Sequence, residues 1–479
     1  MQYSRPGEPD TSSSLEEAGS FRDRNGQVFY HRGMVFRGIS EKAFGHWLDL
    51  RATAFYSASC AAGHLPQTEE IDSILEDLPL QQTEKWFAVL RHEPVAFVSY
   101  PYEWPFHALR DAALLQLQLL REALFENMTL KDASSFNIQW QGTRPIFIDI
   151  PSFEPWAPGE PWVGYRQFCQ LFLYPLMLQA YKNVPFHYWL RGRIDGLEPE
   201  DFNHLISWRD LLRPGVLIHV NLHARLQRAF EKSTNSVKKQ LQDSGFAKEL
   251  IQANVSKLQK LVGKLAWKQK QSPWVSYDQE HAYAEQDRQT KESFVRHAAS
   301  TKRWPLAWDL GCNVGSYSRI LAEYSDYVVA MDSDHLAVDQ LYQHLKEEQK
   351  TNILPLVINL ADPSPSLGWG GRERKDLLTR GAPSLTLCLA LLHHMVIQAN
   401  IPLASFVAWL RSLDSAVIIE FVSRQDPLVL RLLRNKTDDY SDYNLEYFEE
   451  SLQRYFTIRT KKELPCGTRT LYFAEPGSR

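Results

Sequence analysis

From Trp304 to the end of the chain, short apolar runs alternate with amphipathic stretches. The run 304–310 (WPLAWDL) has the length of a strand, and 316–323 places its apolar residues at helical spacing. The run 327–332 (YVVAMD) predicts a second strand, and 335–348 a helix with Leu336, Leu341 and Leu345 on its apolar side. Runs 353–358, 384–392 and 416–422 (ILPLVI, SLTLCLALL, AVIIEFV) predict three further strands. Strands alternating with helices predict a mainly parallel sheet covered on both faces. The segments 456–464 and 468–475 predict a closing antiparallel pair.

Upstream the pattern changes. Residues 1–20 carry few apolar positions and read as a loose tail. The stretch 21–221 is aromatic-rich and reads as a separate α+β accessory domain, with a well-patterned helix over 109–124. The longest apolar run, Phe168–Tyr181, is interrupted by Gln170, Pro175 and Gln179 and reads as a core helix, too short to span a bilayer. Residues 222–271 read as a basic helical connector. Between Arg225 and Lys270 there are eleven Lys or Arg against three acids, 11 − 3 = +8. Leu250, Val255, Leu258, Leu261, Val262 and Leu265 recur at three- and four-residue steps, so one face packs while the other carries lysines. Such a zone is a solvated connector or a contact for nucleic acid or an anionic surface. The scarcity of interleaved aromatics favours the connector.

The whole chain has 479 residues and a formal charge of −4, which excludes polyanion binding by bulk charge. The polar, acidic start lacks the apolar segment of a secretory signal. Five cysteines lie far apart without a CxxC pair, against a disulfide scaffold or a cysteine-clustered metal site. A soluble cytoplasmic protein with no metal centre is the expectation; the oligomeric state is open.

The informative stretch is Asp309-Leu-Gly311-Cys312-Asn313-Val-Gly315-Ser316, set where a strand ends and a helix begins. Glycines there allow backbone angles closed to other residues and a close approach to the main chain. Seventeen residues beyond Gly315, Asp332 ends the next strand, where an acid can accept hydrogen bonds from both hydroxyls of a ribose. A dinucleotide fingerprint would need glycine where Asn313 and Ser316 stand. The stretch instead resembles motif I of the class I S-adenosylmethionine-dependent methyltransferases, and with it a Rossmann-like seven-stranded sheet over 272–479.

That resemblance implies S-adenosylmethionine as cofactor. It places Asp309 near the cofactor's amino group, 311–315 along its methionine portion and Asp332 on its ribose. Asp362, after the third strand, falls where the family meets the adenine amino group. Leu389–Met395 (LALLHHM) resembles the family's motif IV region, and together with the DLGCN loop it resembles the NoeA-like nodulation host-specificity methyltransferases. Trp274, Tyr277, Tyr283 and Lys291 are lid residues or simple packing at a junction. His393, His394 and Glu420 sit at strand ends facing the crevice and are candidate catalytic groups, histidine having the pKa that suits a base; packing or bracing is the alternative for each. Arg424 and Asp426 contact substrate or brace a loop. The methyl acceptor is not identified by any residue.

In the first half, Lys131-Asp132, then Asn137, and an acid at Asp149 resemble the catalytic and metal-binding loops of protein kinases and small-molecule phosphotransferases, in which the first acid orients a hydroxyl and the others bind magnesium. A glycine-rich phosphate loop and the VAIK-type lysine are missing. The reading of the whole is a methyltransferase acting on an unidentified acceptor, with an accessory or substrate-recognition domain. Its alternatives are a non-catalytic binding or regulatory protein of the same fold, and phosphotransfer by the first half.

Overall fold

The computed structural model describes residues 15–71, 78, 84–222, 248–269, 285–434, 436–438 and 440–477. Trp274, Tyr277 and Tyr283 lie outside these residues, as do 1–14 and most of the expected basic connector.

The first half begins with a five-stranded antiparallel sheet: β1 (Leu15–Glu16), β2 (Gly26–His31), β3 (Met34–Ile39), β4 (Thr68–Ile71) and β5 (Ala88–His92), in the order β1-β2-β3-β5-β4. The expected tail therefore ends earlier than residue 20, because Leu15 and Glu16 pair with Tyr30 and Phe29. A long helix, Phe106–Phe125, follows. Its apolar residues lie on nearly every side, so it is buried almost all round rather than along one stripe. Two short antiparallel pairs come next, β6 (Met128–Leu130) with β9 (Phe153–Pro155), and β7 (Ile138–Gln141) with β8 (Arg144–Phe147). The apolar run around Phe168–Tyr181 is helical but widens into a π turn over Cys169–Leu173, just before Pro175, which cannot donate to a regular ladder.

The second half is the sheet that the alternation predicted. Its strands are β10 (Trp304–Leu310), β11 (Ser325–Asp332), β12 (Ile353–Val357), β13 (Leu385–Cys388), β14 (Ala416–Val422), β15 (Phe456–Glu463) and β16 (Arg469–Pro476). They run in the order β12-β11-β10-β13-β14-β16-β15. β10 to β14 pair in parallel, and β16 runs antiparallel between β14 and β15. This is the seven-stranded order of the class I methyltransferase fold. The chain steps outward from β10 to β12, then returns to β13, so the carboxyl ends of β10 and β13 flank a topological switch point.

The halves share one continuous core. Buried Trp104, Trp140, Trp308, Tyr327 and Tyr342 belong to a single cluster. The Phe106–Phe125 helix and the His335–Glu347 helix meet through Tyr342, whose hydroxyl donates to Asp111 at 2.7 Å, and through Asp339, which accepts the backbone N–H of His107 at 2.8 Å. At the β7–β8 turn Gly142 (φ +60°) lies so close to Thr351 that a Cβ would stand 2.6 Å from its backbone. The Lys248–Lys264 helix lays Ile251, Val255, Leu258 and Val262 into the same core, so this part of the expected connector is packed. No helix among the described residues is long and apolar enough to cross a membrane.

Candidate functional site

At the carboxyl end of β10 the chain bends sharply. Gly311 (φ +79°), Asn313 (φ +48°) and Gly315 (φ +80°) all take left-handed backbone angles, and the backbone N–H groups of Gly311 and Cys312 donate to Met331 O at 2.8 and 3.0 Å. The two glycines serve different ends. A Cβ at Gly311 would meet only Leu391 at 3.5 Å, so that glycine answers its backbone angle. At Gly315 a Cβ would stand 2.4 Å from Leu341, so that glycine also admits the neighbouring helix. Cys312 is buried, which pushes its thiol well up and leaves it inert.

Two acids flank the bend. Asp309 is buried and accepts from Ser318 Oγ at 2.6 Å; loss of solvent pushes its carboxyl up to about 7. Asp332, at the end of β11, is half-buried. Its Oδ2 accepts the backbone N–H of Asn313 and its Oδ1 that of Asp334, both at 2.9 Å. The bend thus orients the carboxylate, and each oxygen keeps a second lone pair for a further donor. Burial raises its pKa as well, against the pull of those N–H groups. A vicinal diol supplies two donors of the kind this carboxylate lacks, so the residues fit a ribose. Asp362 lies beyond β12 at the surface, with its carboxylate in a two-pronged ion pair with Arg191 at 2.9 and 3.0 Å.

Across the switch point β13 stops at Cys388, four residues short of the predicted run's end, because Ala390 turns at φ +49°. His393 is fully buried, with neither ring nitrogen hydrogen-bonded, and burial together with His394, Arg469 and Lys291 holds it well below the usual imidazole pKa. It is a neutral imidazole. His394 is half-buried, its Nδ1 3.0 Å from Gln398 Oε1. Glu420 does not offer a carboxylate to a substrate. Its Oε2 accepts from Lys291 Nζ and from the Ala390 backbone N–H, both at 2.7 Å, and its Oε1 lies 3.4 Å from Arg469 Nη1. Arg469 in turn pairs with Asp426, which caps the Pro427–Leu433 helix. Lys291 and Asp426 are thus parts of a buried ion network behind the crevice wall, and Arg424 braces a loop by donating to Tyr440 O at 2.7 Å.

The first half does bring Asp132, Asn137 and Asp149 together: Asn137 Nδ2 lies 3.5 Å from Asp149 Oδ2, and Asp149 adds to the rise in the pKa of Asp132. A fourth residue joins them that the sequence reading missed. Arg37 on β3 forms an ion pair with Asp149, which also accepts from Ser152. Moreover, 364–380 of the second half is wedged beside this cluster. Arg374 lies 4.2 Å from the centre of the Phe136 ring, the Lys375 backbone N–H donates to Tyr100 Oη at 2.8 Å, and Arg22 pairs with Glu373.

Two surface depressions lie away from the crevice. One, of about 380 Å³, sits where Trp140 and Arg144 meet Tyr327 and Thr351, near the opposite ends of β11 and β12. The other lies on the first sheet beside Trp47 and Glu69.

Over 469 residues the chain is 34% identical to nodulation protein NoeA of Rhizobium meliloti (strain 1021), covering 96% of this chain and 95% of that relative. Among solved structures, the N-methyltransferase NodS from Bradyrhizobium japonicum WM9 is 10% identical with a TM-score of 0.30, over 40% of this chain and 97% of that one. Magnesium protoporphyrin IX methyltransferase from Synechocystis PCC 6803 is 16% identical with a TM-score of 0.30, over 42% and 91%. No family model matches the chain.

Proposed function

The chain belongs to the NoeA family of nodulation proteins, and on that premise we propose that it is an S-adenosylmethionine-dependent methyltransferase. The observation that carries the reading is the bend at Gly311–Gly315 holding the Asp332 carboxylate at the switch point of this sheet. In this reading Asp332 grips the ribose, and Gly311, Cys312, Asn313 and Gly315 line the methionine portion. Asp309 faces the cofactor's amino group through backbone or water, and Asp362 meets the adenine. The cofactor's sulfonium carbon is already activated, so the protein's share is alignment and exclusion of water. Of the two candidate proton acceptors at the end of β13, His394 is the more accessible, being half-buried where His393 is fully buried. Glu420 braces the loop that carries it. The domain of residues 272–479 bears the chemistry, and 21–221 acts as an accessory domain that closes one side of it.

Incubation with methyl-labelled cofactor and fractionated lysate tests this directly: label is expected in one acceptor fraction, and no transfer in any fraction would contradict it. A second reading, phosphotransfer, draws support from the convergence of Asp132, Asn137 and Asp149. Against it, the Arg37 guanidinium occupies the carboxylate that a magnesium ion would need. We expect magnesium-ATP to leave the melting temperature unchanged; a rise abolished by Asp149→Ala would establish the second reading instead.

A further inference from the structure

The accessory half reaches the rim of the crevice through one short helix, His187–Gly192. Two of its side chains face segments that follow the strand ends, Arg191 the loop after β12 and Tyr188 the start of the helix after β11. Arg191 makes four hydrogen bonds to the loop after β12: to Asp362 Oδ1 at 2.9 Å, Asp362 Oδ2 at 3.0 Å, Asp362 O at 3.1 Å and Pro363 O at 3.2 Å. A planar guanidinium engaging a carboxylate on both oxygens fixes its direction as well as its place. Asp362 remains mostly solvent-exposed, at 70%, so lone pairs on its outer side stay open to another donor. Tyr188, one turn earlier, is 69% exposed, and its ring centre lies 6.5 Å from that of His335. His335 opens the helix that follows Asp332, three residues after the ribose acid. The helix is held there firmly: buried His187 stacks on Phe186 at 4.2 Å, meets His335 edge-on at 4.2 Å, and lies with Nε2 2.9 Å from Trp104 O.

We infer that this helix of the accessory half is part of the adenosine subsite, with Arg191 as a positioning residue that aims Asp362 at the base and Tyr188 as an aromatic wall beside it. The inference rests on the methyltransferase reading above and adds a role for the first half within it. A purine with an amino group donates to an acceptor so aimed, whereas a 6-oxo purine presents an oxygen to it and is repelled. Selectivity for adenine over hypoxanthine is therefore set partly by a residue of the other half of the chain.

Calorimetry on the full chain with S-adenosylhomocysteine and S-inosylhomocysteine tests this. Wild type is expected to prefer the adenosine ligand. Arg191→Ala is expected to weaken its binding by about tenfold, the loss of one charge-assisted contact, and to reduce the preference over the inosine ligand. Arg191→Lys keeps the charge without the fork and is expected to restore only part of both. Tyr188→Ala, at an exposed position that does not threaten folding, is expected to weaken both ligands alike, while Tyr188→Phe retains binding. Melting temperatures of the unliganded variants show whether the fold survives; if Arg191→Ala does not fold, Tyr188→Ala decides. If wild type binds S-adenosylhomocysteine but these variants keep its affinity and its preference, the methyltransferase reading stands and this inference falls. If wild type binds neither ligand, both fall.

Discussion

Asp309 and His393 are both buried and both titrate away from their ordinary ranges, but with opposite consequences for stability. Asp309 is protonated in the folded chain up to about pH 7, whereas an unfolded aspartate ionises near ~4. The folded state therefore binds more protons across that window, and its stability falls as pH rises from about 4 to 7. His393 is neutral when folded, while an unfolded histidine takes up a proton near ~6.5, so its contribution is present above that pH and is lost as pH drops below it. Melting curves from pH 4 to 8 are expected to lose the Asp309 decline between about pH 4 and 7 in Asp309→Asn, and to lose the His393 fall below ~6.5 in His393→Gln. Gly315→Ala meets both a left-handed backbone angle and the buried Leu341 side chain, and urea denaturation is expected to show a loss of ~1–3 kcal/mol. The acids and glycines of this loop were legible in the sequence because their chemistry is local. Arg191 and Lys291 were not legible as an anchor and a brace, since their partners lie 171 and 129 residues away.

At the scale of elements, the parallel strands were readable because burial on both faces turns each into a continuous apolar run. That same signal overran at 384–392. Leu389 is buried in the bend and Leu392 at the start of the helical stretch that follows it, and a short apolar run does not distinguish these from a strand. The first sheet lacked a comparable signature; its strands are short, antiparallel and mixed in polarity. The segment 364–380 carries Arg374 and Lys375 into the first half and ends in Arg380, whose guanidinium grips Glu103 with both prongs at 2.6 Å. Arg380 and Glu103 are 0% and 1% exposed, so removal of one partner leaves a buried charge unpaired. Arg380→Met is expected to cost ~3–5 kcal/mol in denaturant titration, and Glu103→Gln added to it is expected to recover part of that loss. Additive losses would show that the pair is not coupled.

For the whole molecule, composition steps predicted two parts joined by a basic connector. The described residues show an antiparallel sheet in the first half and the mainly parallel sheet in the second, with aromatic side chains from both halves packed in a single cluster. A division by composition does not see this, since tryptophan and tyrosine look alike whether they fill a domain or join two. The helix His187–Gly192 of the first half meets the loop after β12 through Arg191 and Asp362. Calorimetric titration of the wild-type chain with S-adenosylhomocysteine probes the account at its centre. Saturable one-to-one binding is expected, weakened at least about tenfold in Asp332→Ala, as loss of a charged acceptor for two hydroxyls implies. No heat with wild type, or equal affinity in Asp332→Ala, would contradict it.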